Sequence, residues 1–136
     1  MPKELCIATD LSPAGAPAVQ LGLDWARRLR ARVLLLHVVH DPELTPALAN
    51  DVPGEVAAAR AQLEQLAATV AGTECRVEVR TAEDVAAAIV KLAAHADYLF
   101  VGSRGRSGIE RLALGSVATA VLRHSTVPVV CVPAGD

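Results

Sequence analysis

Five short stretches of the chain are almost uninterrupted in apolar residues, and polar, helix-patterned segments separate them. The stretches are ELCIATD (4–10), RVLLLHVV (32–39), RVEVR (76–80), DYLFVG (97–102) and VPVVCVP (127–133). Three of them lack the apolar–polar alternation of a half-exposed strand, so they read as strands covered on both faces. RVEVR does alternate and is expected at a sheet edge. Between the strands, apolar residues recur at helical spacing. In 16–30 they are Val19, Leu23, Ala26 and Leu29, with Arg27, Arg28 and Arg30 mostly opposite. In 55–71 they are Val56, Ala59, Leu63, Leu66 and Val70. In 83–95 they are Val85, Ile89, Leu92 and Ala93, with Thr81 read as the N-cap and Asp84 as the third helical position. In 116–124 they are Val117, Ala120, Val121 and His124, the last of these suited to a helix C-terminus.

This βαβαβαβαβ order predicts a single α/β domain over 1–136: a doubly wound, Rossmann-like parallel sheet with right-handed crossovers. HDPELTPALANDVPG (40–54) is the one long connection. Its three prolines argue against a continuous helix, and it could act as a lid over the carboxyl edge of the sheet. No internal repeat or low-complexity tail is visible.

Composition narrows the function classes. Hydrophobic residues make up 52% of the 136-residue chain and aromatics only 2%, so the core must be built from Ala, Val and Leu. Few aromatics and a net charge of −2 argue against nucleic-acid binding, which needs stacking platforms or a basic field. Cys6, Cys75 and Cys131 are far apart and form no metal-ligand pair, so they read as small apolar residues of a reducing cytoplasm. MPKELCIATDL lacks the apolar region of a signal peptide, and no apolar run reaches membrane-spanning length. The expectation is a cytoplasmic protein with no membrane insertion and no dedicated metal site.

In open α/β sheets, ligands lie beyond the carboxyl ends of the strands, where the winding reverses. The residues there include Thr9 and Asp10 after strand 1, Val38 at the end of strand 2, and VGSRG (101–105) after strand 4. The stretch VGSRGRSGIERLALGSVA places Gly102, Gly105, Gly115 and Ser116 in the pattern G-x-x-G-x9-G-S. Glycines let backbone N–H groups approach an anion. A helix start at Ser116, whose hydroxyl is expected to cap the helix, adds positive potential. Arg104 is open between phosphate contact and solvent, whereas Arg106 and Arg111 read as solvated. Asp10 either meets a ligand hydroxyl pair or closes an Asx turn. His37 and His40 read as structural, since neither has an acid partner or nucleophile beside it in sequence.

These motifs resemble the universal stress protein family, whose nucleotide-binding members carry G-x-x-G-x9-G-[ST]. CIATDLSPAGAPAVQLGLDWARRLRARVLLLHVV and ADYLFVGSRGRSGIERLALGSVATAVLRHSTVPVVCVP extend the likeness over nearly the whole chain. The resemblance implies strand order 3-2-1-4-5 and an ATP, ADP or AMP site of the adenine nucleotide alpha hydrolase-like kind. Carried over by position, Ala8, Thr9 and Asp10 lie beside the nucleoside and the backbone of Val38 meets the adenine edge. Val101 and Gly102 border the ribose, followed by Ser103 and Arg104. Gly105, Gly115, Ser116 and Val117 hold phosphates, and Mg2+ could bridge the phosphate oxygens. It further implies a homodimer through strand 127–133 and a stress-response role exerted through an unknown protein partner. The alternatives are a slow ATPase or phosphotransferase, and a scaffold that needs no nucleotide. The sequence departs from the family where strand 3 is followed by RTAED rather than a glycine turn. It departs again at Ala118, where a hydroxyl residue is common, and along the short 40–54 connection.

Overall fold

The computed structural model describes residues 3–42, 52–104 and 114–134. It contains β1 (Glu4–Ala8), a single 3-10 turn (Pro13–Gly15), α1 (Ala16–Leu29), β2 (Arg32–His40), α2 (Val52–Ala68) and β3 (Cys75–Ala82). These are followed by α3 (Val85–Leu92), β4 (Tyr98–Gly102), α4 (Ser116–His124) and β5 (Val129–Val132). The five strands form one parallel sheet in the order β3-β2-β1-β4-β5. The alternating strand, as its pattern suggests, lies at an edge.

Period-two alternation divides the core into two layers. Leu5, Ile7, Val33, Leu35 and Phe100 pack with Val19, Leu23, Ala26, Ala59 and Leu63 beneath α1 and α2. Cys6, Ala8, Leu34, Leu36, Leu99 and Val101 pack with Ala86, Ile89 and Val121 beneath α3 and α4. The chain's only Trp, Tyr and Phe meet in one place: Trp25 stands edge-on to Phe100 at 5.1 Å and to Tyr98 at 5.9 Å. At the opposite end of the sheet from the cavity, Asp97 Oδ2 accepts the backbone N–H groups of Lys3 (2.7 Å) and Glu4 (3.0 Å). Those bonds hold its carboxyl below the ordinary range.

β1 stops at Ala8, and Thr9 and Asp10 follow it as expected, their side chains taking the backbone amides of Leu11 and Ser12 and turning the chain. Two local expectations are corrected. Thr81 is not a helix cap: it pairs with Val39 inside β3, and Asp84 is the N-cap of α3, accepting Ala87 N–H at 3.0 Å. In α4 the buried face is Ala118 and Val121, whereas Val117 is 39% exposed. The connection after β2 does end in a helix start at Val52, but residues 43–51, the heart of the proposed lid, lie outside the described residues.

Gly22 lets α1 sit directly on β1. A Cβ there would lie 2.6 Å from Ile7 Cδ1 and 2.7 Å from its Cγ1, with the Phe100 ring 3.3 Å away. Alanine gains about 1 kcal/mol of helix propensity over glycine, but overpacking costs about 1–3 kcal/mol. Because Ile7 and Phe100 are fully buried and have nowhere to move, the clash outweighs the propensity. Gly22→Ala should therefore lower stability in urea titration by about 1–2 kcal/mol.

Burial raises the Cys6 thiol from its ordinary value of 9.0 to about 12, with Glu4 adding to the shift. The thiolate is the reactive form. In the folded protein at pH 8, maleimide should therefore label half-buried Cys75 and Cys131 while Cys6 reacts only after denaturation. The stability that Cys6 contributes is complete below pH 9.0 and is lost as pH rises toward 12, seen as a falling melting temperature in alkali.

Candidate functional site

β1 is hydrogen-bonded to β2 on one side and β4 on the other, so the crossovers leave it in opposite directions. A cleft must open above its carboxyl end. It does: a cavity of about 510 Å³ is lined by the ends of β1, β2 and β4 and by the first turns of α2, α3 and α4. That volume suits a small organic ligand.

The expected site residues converge on this cavity. Ala8, Thr9, Asp10, Val38, Val101, Gly102, Ser103, Arg104, Gly115, Ser116 and Val117 all line it. Gly105, Arg106 and Arg111 lie outside the described residues. One wall was legible in the sequence only as core or turn. Leu36, Val85 and Ile89 supply apolar surface, Glu55 stands in the first turn of α2, and Gly15 closes the 3-10 turn beneath Asp10. Ile89 and Val85 carried only a helical period, and nothing marked Gly15 except its place just before a helix.

Backbone groups dominate the end nearest α4. Gly115 is the N-cap, with extended dihedrals (φ −66°, ψ 161°), and Ser116 is the first helical residue. The expected hydroxyl cap by Ser116 is therefore corrected: no side chain caps this helix. Gly115 N–H donates to Ser103 O at 2.7 Å, which ties the helix start to the end of β4. The next amides, of Ser116, Val117 and Ala118, have no carbonyl one turn back within the helix, as at every helix start. They are the groups from which the helix's positive end is built. Ala118 is buried at 4% exposure and also lines the cavity, so this wall carries a methyl where a hydroxyl would add a donor. Half-buried Arg104 contributes positive charge nearby.

The opposite end is framed by β1 and β2. Buried His37 has Nδ1 2.7 Å from Thr9 O. A carbonyl can only accept, so Nδ1 carries the proton and donates to it. The bond braces the two strand ends against each other, in keeping with a structural histidine. His40 is exposed at the last position of β2. Asp10 does close an Asx turn: Oδ1 accepts Ser12 N–H at 2.9 Å and Ser12 Oγ–H at 2.6 Å. Asp10 also lines the cavity, so turn closure and ligand contact are not exclusive. Among the described residues no cluster of His, Cys, Asp and Glu is arranged to hold a metal ion, and no helix is long and apolar enough to cross a membrane.

Known proteins carry the same architecture. A universal stress protein from Lactobacillus plantarum superimposes with a TM-score of 0.78 at 24% identity, over 96% of this chain and 97% of that one. A universal stress protein solved in complex with cAMP gives a TM-score of 0.74 at 23% identity, over 98% of both chains. One from Archaeoglobus fulgidus in complex with dAMP gives 0.71 at 19% identity, over 95% and 96%. In sequence, a universal stress protein of Mycobacterium tuberculosis is 30% identical over 132 residues, 91% of this chain and 43% of the relative. The chain thus spans less than half the length of the curated relatives it matches. The model of the Universal stress protein family matches residues 1–133, and the chain belongs to that family.

Proposed function

We infer that the cavity binds an adenine nucleotide, and that the protein acts as a nucleotide-dependent regulator in the stress response, signalling through a protein partner in the cytoplasm. The observation that carries this reading is the convergence of the strand-end and helix-start residues on one cavity of ligand size. The solved relatives bound to cAMP and dAMP support it by likeness of fold.

In this reading the backbone of Val38 meets the base edge and Asp10 the sugar hydroxyls, while Ala8, Thr9, Val101 and Gly102 border the nucleoside. The amides after Gly115 and Gly105, with Ser103, Arg104, Ser116 and Val117, take the phosphates. ATP, ADP and AMP all fit that division, and Mg2+ would enter on the phosphate oxygens rather than on a protein cluster. Holding is favoured over cleaving. The described cavity-lining residues of the β4 end and the α4 start, Gly102, Ser103, Arg104, Gly115, Ser116, Val117 and Ala118, include no carboxylate or histidine able to activate water. Calorimetry should give measurable binding of AMP, ADP and ATP to the native protein. Gly115→Val, which puts a branched side chain at the helix start, should weaken ATP binding by more than about tenfold, the worth of one charge-assisted contact. ATP affinity unchanged by that substitution removes the phosphate assignment. Single turnover near ordinary enzyme rates, about 1 per second or faster, makes the protein an enzyme instead.

The same reading includes a homodimer through strand 127–133. β5 is an edge strand of half-buried apolar residues, and Leu122 on the neighbouring helix is 43% exposed. An apolar edge of this kind invites pairing with a second copy about a two-fold axis. Of the β5 residues, Val132 belongs to neither core layer, so Val132→Asp tests the edge without gutting the fold. Sedimentation should give a dimer for the native chain and a monomer for the variant, and a native monomer at micromolar concentration refutes the assembly.

A further inference from the structure

A second cavity, of about 480 Å³, lies between α1 and α2. Thr9 is the one residue it shares with the cavity at the strand ends. Its apolar wall belongs to the α1–α2 core layer: Val19 is buried there, and Leu11 and Leu66 pack against that layer half-buried. Leu11 does so from a left-handed backbone (φ 65°), uncommon for a residue with a side chain. Strain of that kind collects at binding sites.

Helical spacing supplies the rim. Gln62, Gln65, Leu66 and Thr69 share one face of α2 and its C-terminal turn, and Ala16, Val19 and Gln20 share one face of α1. The three glutamines are all that the chain contains. Charged residues make up 21% of the sequence, and Asp24, Arg28, Arg60 and Glu64 stand elsewhere on the same two helices, yet none of the described residues lining this cavity is charged. The hydroxyls in the lining are spent locally. Thr69 Oγ1 donates to Leu66 O at 2.6 Å, Ser12 Oγ donates to Asp10 Oδ1 at 2.6 Å, and Thr9 Oγ1 accepts Leu11 N–H at 3.0 Å. Among the described residues no such bond occupies the exposed glutamine amides.

We propose that this cavity is a second binding site, for a small uncharged molecule with an apolar body and a carboxamide or lactam edge. A side-chain amide carries donors and an acceptor in one plane, so it pairs best with a group that also carries both. A charged group would leave water for a wall that holds no counter-ion, which is costly. A few polar groups over an apolar wall, at this volume, is the composition of a small-molecule site. The site stands whether or not the first cavity holds a nucleotide.

NMR titration of the full chain with benzamide, benzoate and benzamidine tests it, because the three probes match in size and differ in charge. Gln20, Gln62 and Gln65, with Asn50, carry all the carboxamide side chains of the chain, so their NH2 signals are few and separable. Benzamide should shift the three glutamine signals saturably in the millimolar range, and benzoate and benzamidine should bind at least about fivefold more weakly. Ala16→Trp and Gln20→Trp, two exposed positions on the α1 side, fill the cavity; in whichever variant melts as a folded protein, the benzamide shifts should disappear. Gln65→Glu should reverse the order of benzamide and benzamidine by giving the wall a counter-ion. Glutamine shifts that do not saturate, that are equal for the three probes, or that persist in a folded filled variant overturn the site.

Discussion

Everything in the functional half of the molecule depends on the double pairing of β1. Five residues of β1 are in register with β2, from Glu4 against Arg32 to Ala8 against Leu36, and its other edge pairs with β4. A strand paired on both sides and covered on both faces has only its ends left to meet solvent. With all neighbours parallel, the carboxyl ends of β1, β2 and β4 emerge together. The crossover to β2 runs over one face and the return to β4 over the other, so no helix crosses the top of β1. The cleft is thus a consequence of connectivity, and the loop chemistry at Thr9, Asp10, Gly102 and Gly115 decorates an opening that the sheet order creates.

That order also decides what kind of recognition the cleft can offer. Most polar groups reaching it are backbone groups or short side chains at element ends, held by bonds to their own loops. Ser103 O is taken by Gly115 N–H, Thr9 O by His37 and Asp10 Oδ1 by Ser12. Such groups have little freedom left to lose when a ligand binds. Charge enters through few residues, Asp10, Glu55 and Arg104 among the described lining. The surface is therefore better suited to reading shape and hydrogen-bonding direction than to drawing in a ligand by a strong field.

The fold was legible in the sequence because its strands are buried on both faces. RVLLLHVV and YLFV admit few readings once helical periods flank them, and every strand and helix was anticipated within a few residues. The errors cluster where short polar side chains compete with the backbone. Thr81 and Ser116 each have a side chain that can cap, and only the pairing of Thr81 with Val39, or the place of Gly115 as the N-cap of α4, decides otherwise. The α4 face was misjudged for a different reason. Helical period alone cannot distinguish a side chain that packs inward from one, such as Val117, that overhangs a cavity. The glycine pattern and the strand-end positions located most of the lining. Gly15 and Glu55 could not be found that way, because they reach the cavity through contacts made across elements rather than through any local signal.

The bond from Gly115 N–H to Ser103 O has a bearing on how the chain can vary. It pins together the two ends of the excursion between β4 and α4, independently of the residues in between. Once the ends are held, the entropy of closing such an excursion grows only logarithmically, and doubling its length costs about 0.6 kcal/mol. The scaffold therefore tolerates insertion or deletion in that excursion with little loss of stability.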